Sequence, residues 1–508
     1  MFVRVNSCAT EGIRSYGISV EVDVSFGLPY FATVGLPDTA VKESKDRIRA
    51  AMKNSGYPFP QTHITVNLAP ADVKKEGSSF DLPVALALLA AQGIIPPAAL
   101  TDFCIVGELS LDGSVKGICG ALSCAFFSRE ASLSGIILPA VNALEAAMVE
   151  GIRVVGVASL ADVVEFLHGT KEIPPTVFDA QAYFSEHQNH SLDFSEIKGQ
   201  EGVKRAMEVA AAGNHNVLMI GPPGSGKSMI AQRLPSILPD ISFDEAIEIT
   251  KIYSSAGMLG EGQHIIATRP FRAPHHTTSD AGLIGGGQYP RPGEISLAHR
   301  GVLFLDEMPE FKRSVLETLR QPLEEGQITI TRSAFSATYP ADFMLVSAMN
   351  PCPCGFYGDR LRQCRCSWKQ IQSYQSRISG PLLDRIDIHI EVPSMRYSLL
   401  AQSADGEKSS TIKERVNNAR QIQHRRIGSS TANNANMTDR QVREFCHLDA
   451  QSQGLMEMAF SRLGLSARAS ASILRVSRTI ADLEDSPNIQ PHHISEAIQY
   501  RSLDRKIV

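Results

Sequence analysis

A phosphate-binding loop is indicated by residues 221–228, which read GPPGSGKS. The loop follows the short apolar run 216–220 and precedes the helical sequence MIAQRL, which is the strand–loop–helix setting that this motif requires. Its glycines let backbone amides turn inward around phosphate oxygens. Lys227 would bring a positive charge to the β- and γ-phosphates, and Ser228 would offer a hydroxyl to Mg²⁺. The predicted cradle for ATP and Mg²⁺ comprises Gly221, Pro222, Pro223, Gly224, Ser225, Gly226, Lys227 and Ser228.

Polar side chains end two further apolar runs. Residues 302–307 read VLFLDE, and a third run, 343–350, ends in an asparagine. In an open α/β sheet the carboxyl ends of the strands face the bound phosphates. We therefore predict that Asp306 holds Mg²⁺, that Glu307 polarises the attacking water, and that Asn350 orients that water. A capping role before Pro351 is the alternative for Asn350.

The bulk composition limits the classes of protein that need to be considered. The chain has 508 residues and a formal net charge of −5, so several domains are expected and any nucleic-acid contact must come from local basic patches. It has no apolar run of roughly 18 residues or more. Its first ten residues lack the features of a signal peptide, and nine cysteines suit a reducing compartment. The sequence thus predicts a cytoplasmic protein without a membrane segment.

The positions of the motifs and the composition along the chain predict an α/β multidomain fold. β-rich runs and amphipathic helices alternate in the first block, and residues 171–192 are polar and lack a period. Helical sequence dominates the last block, with helices expected over Asp439–Leu463 and, capped by Ser466, up to Asp485. The predicted division is an α+β domain over 1–170, a linker over 171–192, a P-loop α/β core over 193–395 and a helical domain over 396–508.

Several motifs taken together resemble those of one protein family. GPPGSGKS, VLFLDE, SAMN and GPLLDRIDIHIEV (380–392) look like the magnesium-chelatase-type AAA+ ATPases, and 272–287 with 464–484 narrow the resemblance to the YifB/ComM group. It covers essentially the whole chain. The group's characterised members are implicated in natural transformation. The resemblance implies an AAA+ core with a helix insert, a hairpin before the Asn350 strand, and a C-terminal helical lid.

Two catalytic arginines are implied by this resemblance. Arg385 in LLDRID corresponds to an arginine finger that reaches the nucleotide of a neighbouring subunit, and a planar guanidinium suits the charge that develops on the γ-phosphate. Arg475 corresponds to the sensor arginine of the lid, with Arg468 and Arg478 as alternatives. A finger acting in trans implies a homo-oligomeric ring, predicted to be an ATP-promoted hexamer. The alternative for Arg385 is a surface salt bridge with Asp384 or Asp387.

A nucleic-acid contact is also implied. Residues 326–340 fit the family's inserted hairpin, with period-2 spacing through Ile328, Ile330 and Arg332. Such hairpins grip a nucleic-acid backbone in ring translocases, which makes Arg332 a candidate phosphate contact. An ordinary exposed strand arginine is the alternative.

The N-terminal block resembles the domain of Lon-type proteases, with a ribosomal S5 domain 2-like fold. The segment 75–88 places Ser79 at the nucleophile position. The corresponding base position holds Leu122, and Lys116 lies on the wrong side of its turn. A serine without a base is a poor nucleophile, so we expect a Lon-like fold without a peptidase dyad.

Four cysteines and two histidines could bind metal. Cys352, Cys354, Cys364 and Cys366 form two C-x-C pairs, which either hold a structural Zn²⁺ or stay reduced in a loop that faces DNA. The C-x-C spacing is tighter than the usual C-x-x-C. For His275–His276 we expect a packing or nucleotide-sensing role, on the argument that adjacent side chains point apart.

The sequence favours an ATP-dependent ring motor on single-stranded or branched DNA. By resemblance this is a helicase that promotes branch migration during natural transformation and homologous recombination, with recombination proteins as further partners. The rival functions are a magnesium-chelatase-like motor, an ATP-dependent protease and a protein-remodelling AAA+ ATPase. Fold analogy alone does not separate these functions.

Overall fold

The computed structural model describes residues 1–71, 75, 77–187, 191–260, 262–287, 290–332, 335–359, 361–394 and 406–501. The chain divides into two compact units. One comprises Met1–His187 with Ala246–Ile266, and the other comprises Gln188–Glu245 with Ala267–Val508. Among the described residues, no helix has both the length and the apolar character needed to cross a membrane.

The first unit is built on a mixed seven-stranded sheet. Alternating burial along its strands, as in the HITVNLA strand, turns one face toward the helices. The strand order is Tyr30–Val34, His63–Ala69, Arg14–Ser25, Phe2–Glu11, Phe103–Ile105, Gly135–Pro139 and Arg153–Val157. A short hairpin joins Glu108–Leu109 to Val115–Lys116. The helices are Thr39–Asn54, Asp81–Ala91, Ala121–Glu130, Ala143–Ala146, Leu160–Leu167 and Ala180–His187, the last within the predicted linker.

The second unit is built on a five-stranded sheet whose strand pairs are all parallel. The strand order is Phe271–Arg272, Val302–Leu305, Met344–Met349, Val217–Ile220 and Ile388–Glu391. The three inner strands are buried throughout, as expected for a parallel sheet covered on both faces. Two antiparallel ribbons, Gly285–Gly286 with Arg291–Pro292 and Gln327–Arg332 with Phe335–Pro340, complete its strands.

Helices surround this sheet and form the C-terminal part of the unit. Around the sheet lie Glu201–Gly213, Lys227–Arg233, Asp280–Ile284, Glu294–Leu297, Arg313–Thr318, Pro322–Glu325, Trp368–Gln375 and Gly380–Leu383, and Phe243–Ala256 spans the boundary between the units. The C-terminal helices are Ser409–Ile427, Asp439–Phe445, Ala450–Leu463, Ala467–Leu483 and Pro491–Gln499. The mixed α/β fold with a parallel sheet and a helical C-terminal region is therefore confirmed.

One predicted helix was too long. The helix expected over Asp439–Leu463 is two helices, because the side chain of Asp449 accepts a hydrogen bond from Ser452 N at 2.7 Å and begins a new one. The Ser466 cap is confirmed, since its hydroxyl accepts a hydrogen bond from Ala469 N at 3.1 Å.

Candidate nucleotide site

The topology brings the predicted nucleotide-binding residues to one edge of the parallel sheet. The P-loop follows Val217–Ile220, which lies between Met344–Met349 and Ile388–Glu391. In the paired register Ile220 lies opposite Met349, so Gly221 and Asn350 leave the sheet side by side. Because the strands are parallel, Asp306 also leaves the sheet at this carboxyl edge.

Lys227 folds back over its own loop. Its Nζ donates hydrogen bonds to the carbonyl oxygens of Gly221 at 2.7 Å and Pro222 at 2.9 Å, and lies 3.3 Å from Oδ1 of Asn350. Burial lowers the pKa of Lys227, while the charges of Asp306 and Glu307 act in the opposite direction. The ammonium group and the Asn350 amide are thus together at the predicted phosphate position.

The predicted magnesium ligands lie in direct contact. Ser228 donates a hydrogen bond from its hydroxyl to Oδ2 of Asp306 at 2.6 Å. The other carboxylate oxygen of Asp306 accepts from Glu307 N at 2.9 Å. A hydroxyl beside a carboxylate is the oxygen ligand set that Mg²⁺ takes next to bound phosphates.

The loop itself fits a bound phosphate group. Gly224 and Gly226 have φ of +77° and +91°, a left-handed backbone that glycine adopts without penalty, and open space surrounds the position of a Cβ at Gly224. Ser225 has a buried hydroxyl oxygen with no hydrogen-bond partner among the described residues. A buried hydroxyl in that state implies a polar group still to be bound.

Glu307 lies in the left-handed region, with φ of +50° and ψ of +45°. Its side chain is 54% exposed at the mouth of the site, and its Oε2 lies 3.7 Å from Nδ1 of His276. The His276 ring also packs edge-on against Phe311. His276, for which the sequence predicted a packing or nucleotide-sensing role, is therefore a neighbour of the predicted catalytic carboxylate, a contact that the sequence did not specify.

The argument that adjacent histidine side chains point apart was wrong. The ring centroids of His275 and His276 lie 4.1 Å apart, because the two residues stand in an irregular segment and not in a strand. Neither residue belongs to a metal-ligand cluster found in the described part of the chain.

A second contact that the sequence did not reveal borders the P-loop. Gln200 donates from Nε2 to Ser225 O at 3.0 Å, from a backbone with φ of +55°. It lines a cavity of about 680 Å³ together with Val203, Ile390 and Tyr500. Apolar side chains beside a phosphate cradle suit a flat nucleotide base.

The predicted arginine finger lies at the opposite edge of the sheet. The carbonyl oxygen of Arg385 accepts a hydrogen bond from Nδ2 of Asn216 at 3.0 Å, and Asn216 precedes the strand that the P-loop follows. From Asn216 to Gly221 the strand spans about 17 Å. An arginine side chain reaches only about 7 Å, so Arg385 does not touch the cradle of its own chain.

The guanidinium group of Arg385 uses only part of its hydrogen-bonding capacity. Its Nη2 pairs with Glu324, and Arg468 Nη1 binds the same carboxylate oxygen at 2.8 Å. The expected alternative, a salt bridge with Asp384 or Asp387, named the wrong carboxylates, because the partner of Arg385 is Glu324 of the distant helix Pro322–Glu325. Its Nε is buried without a partner within the described residues, and burial, aided by Arg468, lowers the pKa of Arg385.

Arg475 faces the same cavity as Arg385. This polar cavity of about 510 Å³ is lined by Arg385, Arg468, Arg475, Asn216 and Asp387. Arg475 donates to Met437 O at 3.1 and 2.7 Å from a side chain that is 19% exposed. Arg478 is 3% exposed and bound by Asp482 and two backbone carbonyls, so it is committed to the interior of the helical region.

Comparison with known proteins decides the family. The chain is 44% identical to the YifB protein of Escherichia coli (strain K12) over 99% of this chain and 98% of that protein. It is 43% identical to the competence protein ComM of Haemophilus influenzae over 99% of this chain and 97% of that one. The chain belongs to the YifB/ComM family.

Family models of magnesium chelatase match most of this chain. Residues 193–400 match the magnesium chelatase subunit ChlI, residues 20–142 match a second ChlI model, and residues 406–501 match the ChlI C-terminal model. The magnesium-chelatase 38 kDa subunit of Rhodobacter capsulatus is 29% identical over 31% of this chain and half of its own length. These matches support an AAA+ ATPase motor that uses ATP and Mg²⁺.

A hairpin is present at the predicted position, with Gln327–Arg332 paired with Phe335–Pro340. Ile328 and Ile330 are buried, as their period-2 spacing indicates. Arg332 ends the first strand, paired in register with Phe335, and its side chain lies outside the described residues.

Ser79 and Leu122, on which the prediction of a Lon-like fold without a peptidase dyad depends, lie in the N-terminal unit, and that prediction stays a prediction. Ser79 precedes the helix Asp81–Ala91, and its carbonyl oxygen accepts from Gly107 N at 2.8 Å. Leu122 is fully buried. Asp81 is buried and engaged by a bidentate contact from Arg47, at 2.7 and 3.0 Å.

Proposed function

We propose that this YifB/ComM family member is a ring-forming ATPase that translocates on DNA and promotes branch migration during natural transformation and homologous recombination. The proposal of a motor rests on one observation: the predicted site residues are divided between the two edges of one sheet. Lys227, Ser228 and Asp306 lie together at the carboxyl edge, and Arg385 and Arg475 share a cavity at the amino edge. A complete site then needs two protomers.

The proposed hydrolysis assigns one task to each side chain. Lys227 binds the β- and γ-phosphates once its bonds to the loop carbonyls are released, and Ser228 with Asp306 holds Mg²⁺, which neutralises phosphate charge. Glu307 accepts the proton of the attacking water, and Asn350 orients that water beside Lys227. Gln200 and its cavity receive the base.

The neighbouring protomer supplies the remaining charge. Arg385 leaves Glu324 and donates to the γ-phosphate of the adjacent subunit, with Arg475 beside it. A head-to-tail interface of this kind closes into a ring when the rotation between subunits permits, and we propose a hexamer. The motor core is 193–395 and the lid is 396–508, joined through 171–192 to the domain 1–170, which we propose is Lon-like and without peptidase activity.

Two observations support DNA as the substrate. One relative that aligns over nearly its full length is named a competence protein. The hairpin Gln327–Pro340 ends its first strand at Arg332, where a cation could contact a phosphate backbone. The proposal places the ring in the cytoplasm, with DNA and recombination proteins as partners.

The deciding experiment measures ATP hydrolysis and the unwinding of forked DNA and Holliday junctions by the purified full-length chain. We expect Lys227→Ala to lose both activities and Arg332→Ala to lose only the stimulation by DNA. Arg443→Ala, which removes an exposed arginine from a C-terminal helix, is the matched control and should behave like the parent. A parent that hydrolyses ATP but moves no strand would exclude the helicase and leave the ATPase.

A chelatase-like motor is the second candidate, favoured by the three magnesium-chelatase matches. It predicts that DNA has no effect on turnover. A protein-remodelling ATPase predicts stimulation by unfolded protein instead. Both outcomes are read from the same hydrolysis assay with the substrate changed.

A further inference from the structure

Four thiol groups converge in the loop that follows the Asn350 strand. The Sγ atoms of Cys352 and Cys354 lie 3.4 Å apart, and Sγ of Cys364 lies 3.7 and 3.6 Å from them. Cys366 completes the group, with all four Sγ atoms within 4.8 Å of one another. Residues ten or more positions apart thus meet at one point.

These distances match a single metal ion. The cysteines are free, and the separations far exceed the roughly 2.05 Å of a disulfide. In a tetrahedral site with Zn–S bonds of about 2.3 Å, neighbouring sulfurs lie about 3.8 Å apart. An iron–sulfur cluster would spread the four sulfurs around several iron atoms.

The loop lacks other means of holding this arrangement. The described residues between 351 and 367 form neither helix nor strand, and three of the four cysteines are only partly buried. Hydrophobic packing alone therefore gives little stabilisation to so close a group of thiols. Metal coordination is the usual source of stability for small irregular segments of this composition.

The loop also contacts the proposed nucleotide site. Gly355 has φ of +85°, and a Cβ added there would lie 2.4 Å from Cδ of Pro223 in the P-loop. On the other side, Gln375 donates from Nε2 to Pro351 O at 3.0 Å, directly after Asn350. The cysteine-bearing loop thus touches the P-loop at Gly355 and begins directly after Asn350.

We propose that Cys352, Cys354, Cys364 and Cys366 bind one structural Zn²⁺, which fixes the loop against Pro223 and holds Asn350 in position. Four thiolates close the coordination sphere, so the ion is structural and has no open position for chemistry. The effect on nucleotide binding rests on the proposed ATPase site, whereas metal binding does not.

The metal is tested on the full-length chain purified without chelator. We expect elemental analysis to find one zinc per chain, released when a mercurial reagent modifies the thiols. Cys364→Ser/Cys366→Ser should lose the zinc, while Cys119→Ser, which changes an exposed cysteine outside the group, should retain it. A metal-free parent, iron in place of zinc, or zinc retained by the double variant overturns the proposal.

A second measurement does not depend on the folding of the variant. The parent grown with cobalt should show the intense visible absorption of tetrahedral Co²⁺ bound to four thiolates. Absence of that absorption in a folded, cobalt-loaded protein also overturns the site.

The effect of the zinc site on nucleotide binding is measured as the Kd of the full-length chain for a fluorescent ATP analogue. We expect zinc removal to raise the Kd several-fold in the parent and equally in Cys119→Ser, which keeps the four-cysteine group. Identical handling should cause no further change in Cys364→Ser/Cys366→Ser. An unchanged Kd rejects the link and leaves the metal site. A parent that binds zinc but no nucleotide would instead reject the proposed function.

Discussion

The two edges of the central sheet are built differently. At the carboxyl edge, Lys227, Ser228 and Asp306 are satisfied by contacts within the same chain. At the amino edge, Arg385 and Arg475 surround a polar cavity, and Arg385 keeps a buried donor unpaired within the described part of the chain. The carboxyl-edge contacts join predicted nucleotide-binding residues to one another, whereas the amino-edge arginines are held by Glu324 and by the carbonyl oxygen of Met437. On the proposed function, this difference means that the protomer carries two half-sites, one for its own nucleotide and one for that of a neighbour.

The largest effects are expected when one of the two half-sites is removed at a time. Lys227→Ala and Arg385→Ala should each lower ATP hydrolysis by about 10³-fold or more, because each removes charge that stabilises the transferred phosphoryl group. A mixture of the two variants should regain part of the activity. Some subunit interfaces then combine an intact phosphate-binding loop from one protomer with an intact Arg385 from its neighbour. The measurement is steady-state hydrolysis at fixed total protein. No recovery on mixing, with subunit exchange verified, would contradict the trans arrangement.

Within the carboxyl edge, Glu307→Gln separates chemistry from binding. We expect kcat to fall by roughly 10²- to 10⁴-fold while ATP still binds, because the amide cannot accept the proton of the attacking water. Glu310→Gln is the matched control, as that carboxylate lies in the same turn and is bound by Arg377 at 2.8 Å. Stopped-flow binding and steady-state turnover together distinguish the two effects. Equal losses of kcat in Glu307→Gln and Glu310→Gln would exclude a special catalytic role for Glu307.

At the amino edge, two arginines of one helix should behave differently. Arg475→Ala should lower kcat by about 10- to 100-fold, the value of a hydrogen bond to a charged group, with stability nearly unchanged. Arg478→Ala should instead lower the free energy of unfolding by about 3 kcal/mol, because it removes a buried partner of Asp482. Turnover and denaturant unfolding are measured for both. An Arg475→Ala variant that loses stability but keeps the kcat of the parent would mean that Arg475 is not catalytic.

The smallest expected effect concerns the partner that holds the finger. Glu324→Gln weakens the contact to Arg385, and since Glu324 is 44% exposed the pair contributes about 1 kcal/mol or less. We expect hydrolysis to change by less than about fivefold. Arg468→Gln, which loosens the same carboxylate from the other side, gives the comparison. A loss as large as that of Arg385→Ala would show that Glu324 itself acts in catalysis.

Local sequence was sufficient to predict the carboxyl edge. The P-loop and the Asp306 strand follow from apolar runs that end in the required residues, and the strand–loop–helix order is set within about a dozen residues. Their meeting then follows from parallel pairing. The family resemblance added Arg385 and Arg475, but their placement depends on sheet order, which no local pattern gives.

Contacts between distant segments could not be predicted. His276 reaches Glu307 from an irregular segment with no periodicity, and Gln200 reaches Ser225 across 25 residues through a left-handed backbone. The Glu324 partner of Arg385 likewise comes from 61 residues away. For Arg332, the hairpin follows from alternation, whereas any nucleic-acid contact depends on a partner outside the chain.

The left-handed backbone at Glu307 has a consequence for how the protein could be stabilised. A side chain in that conformation costs about 1 kcal/mol relative to glycine. Glu307→Gly should therefore melt no lower than the parent while failing to turn over ATP, which thermal unfolding would show. Stability and catalysis would then favour different residues at position 307. Selection for heat tolerance alone would favour loss of the carboxylate.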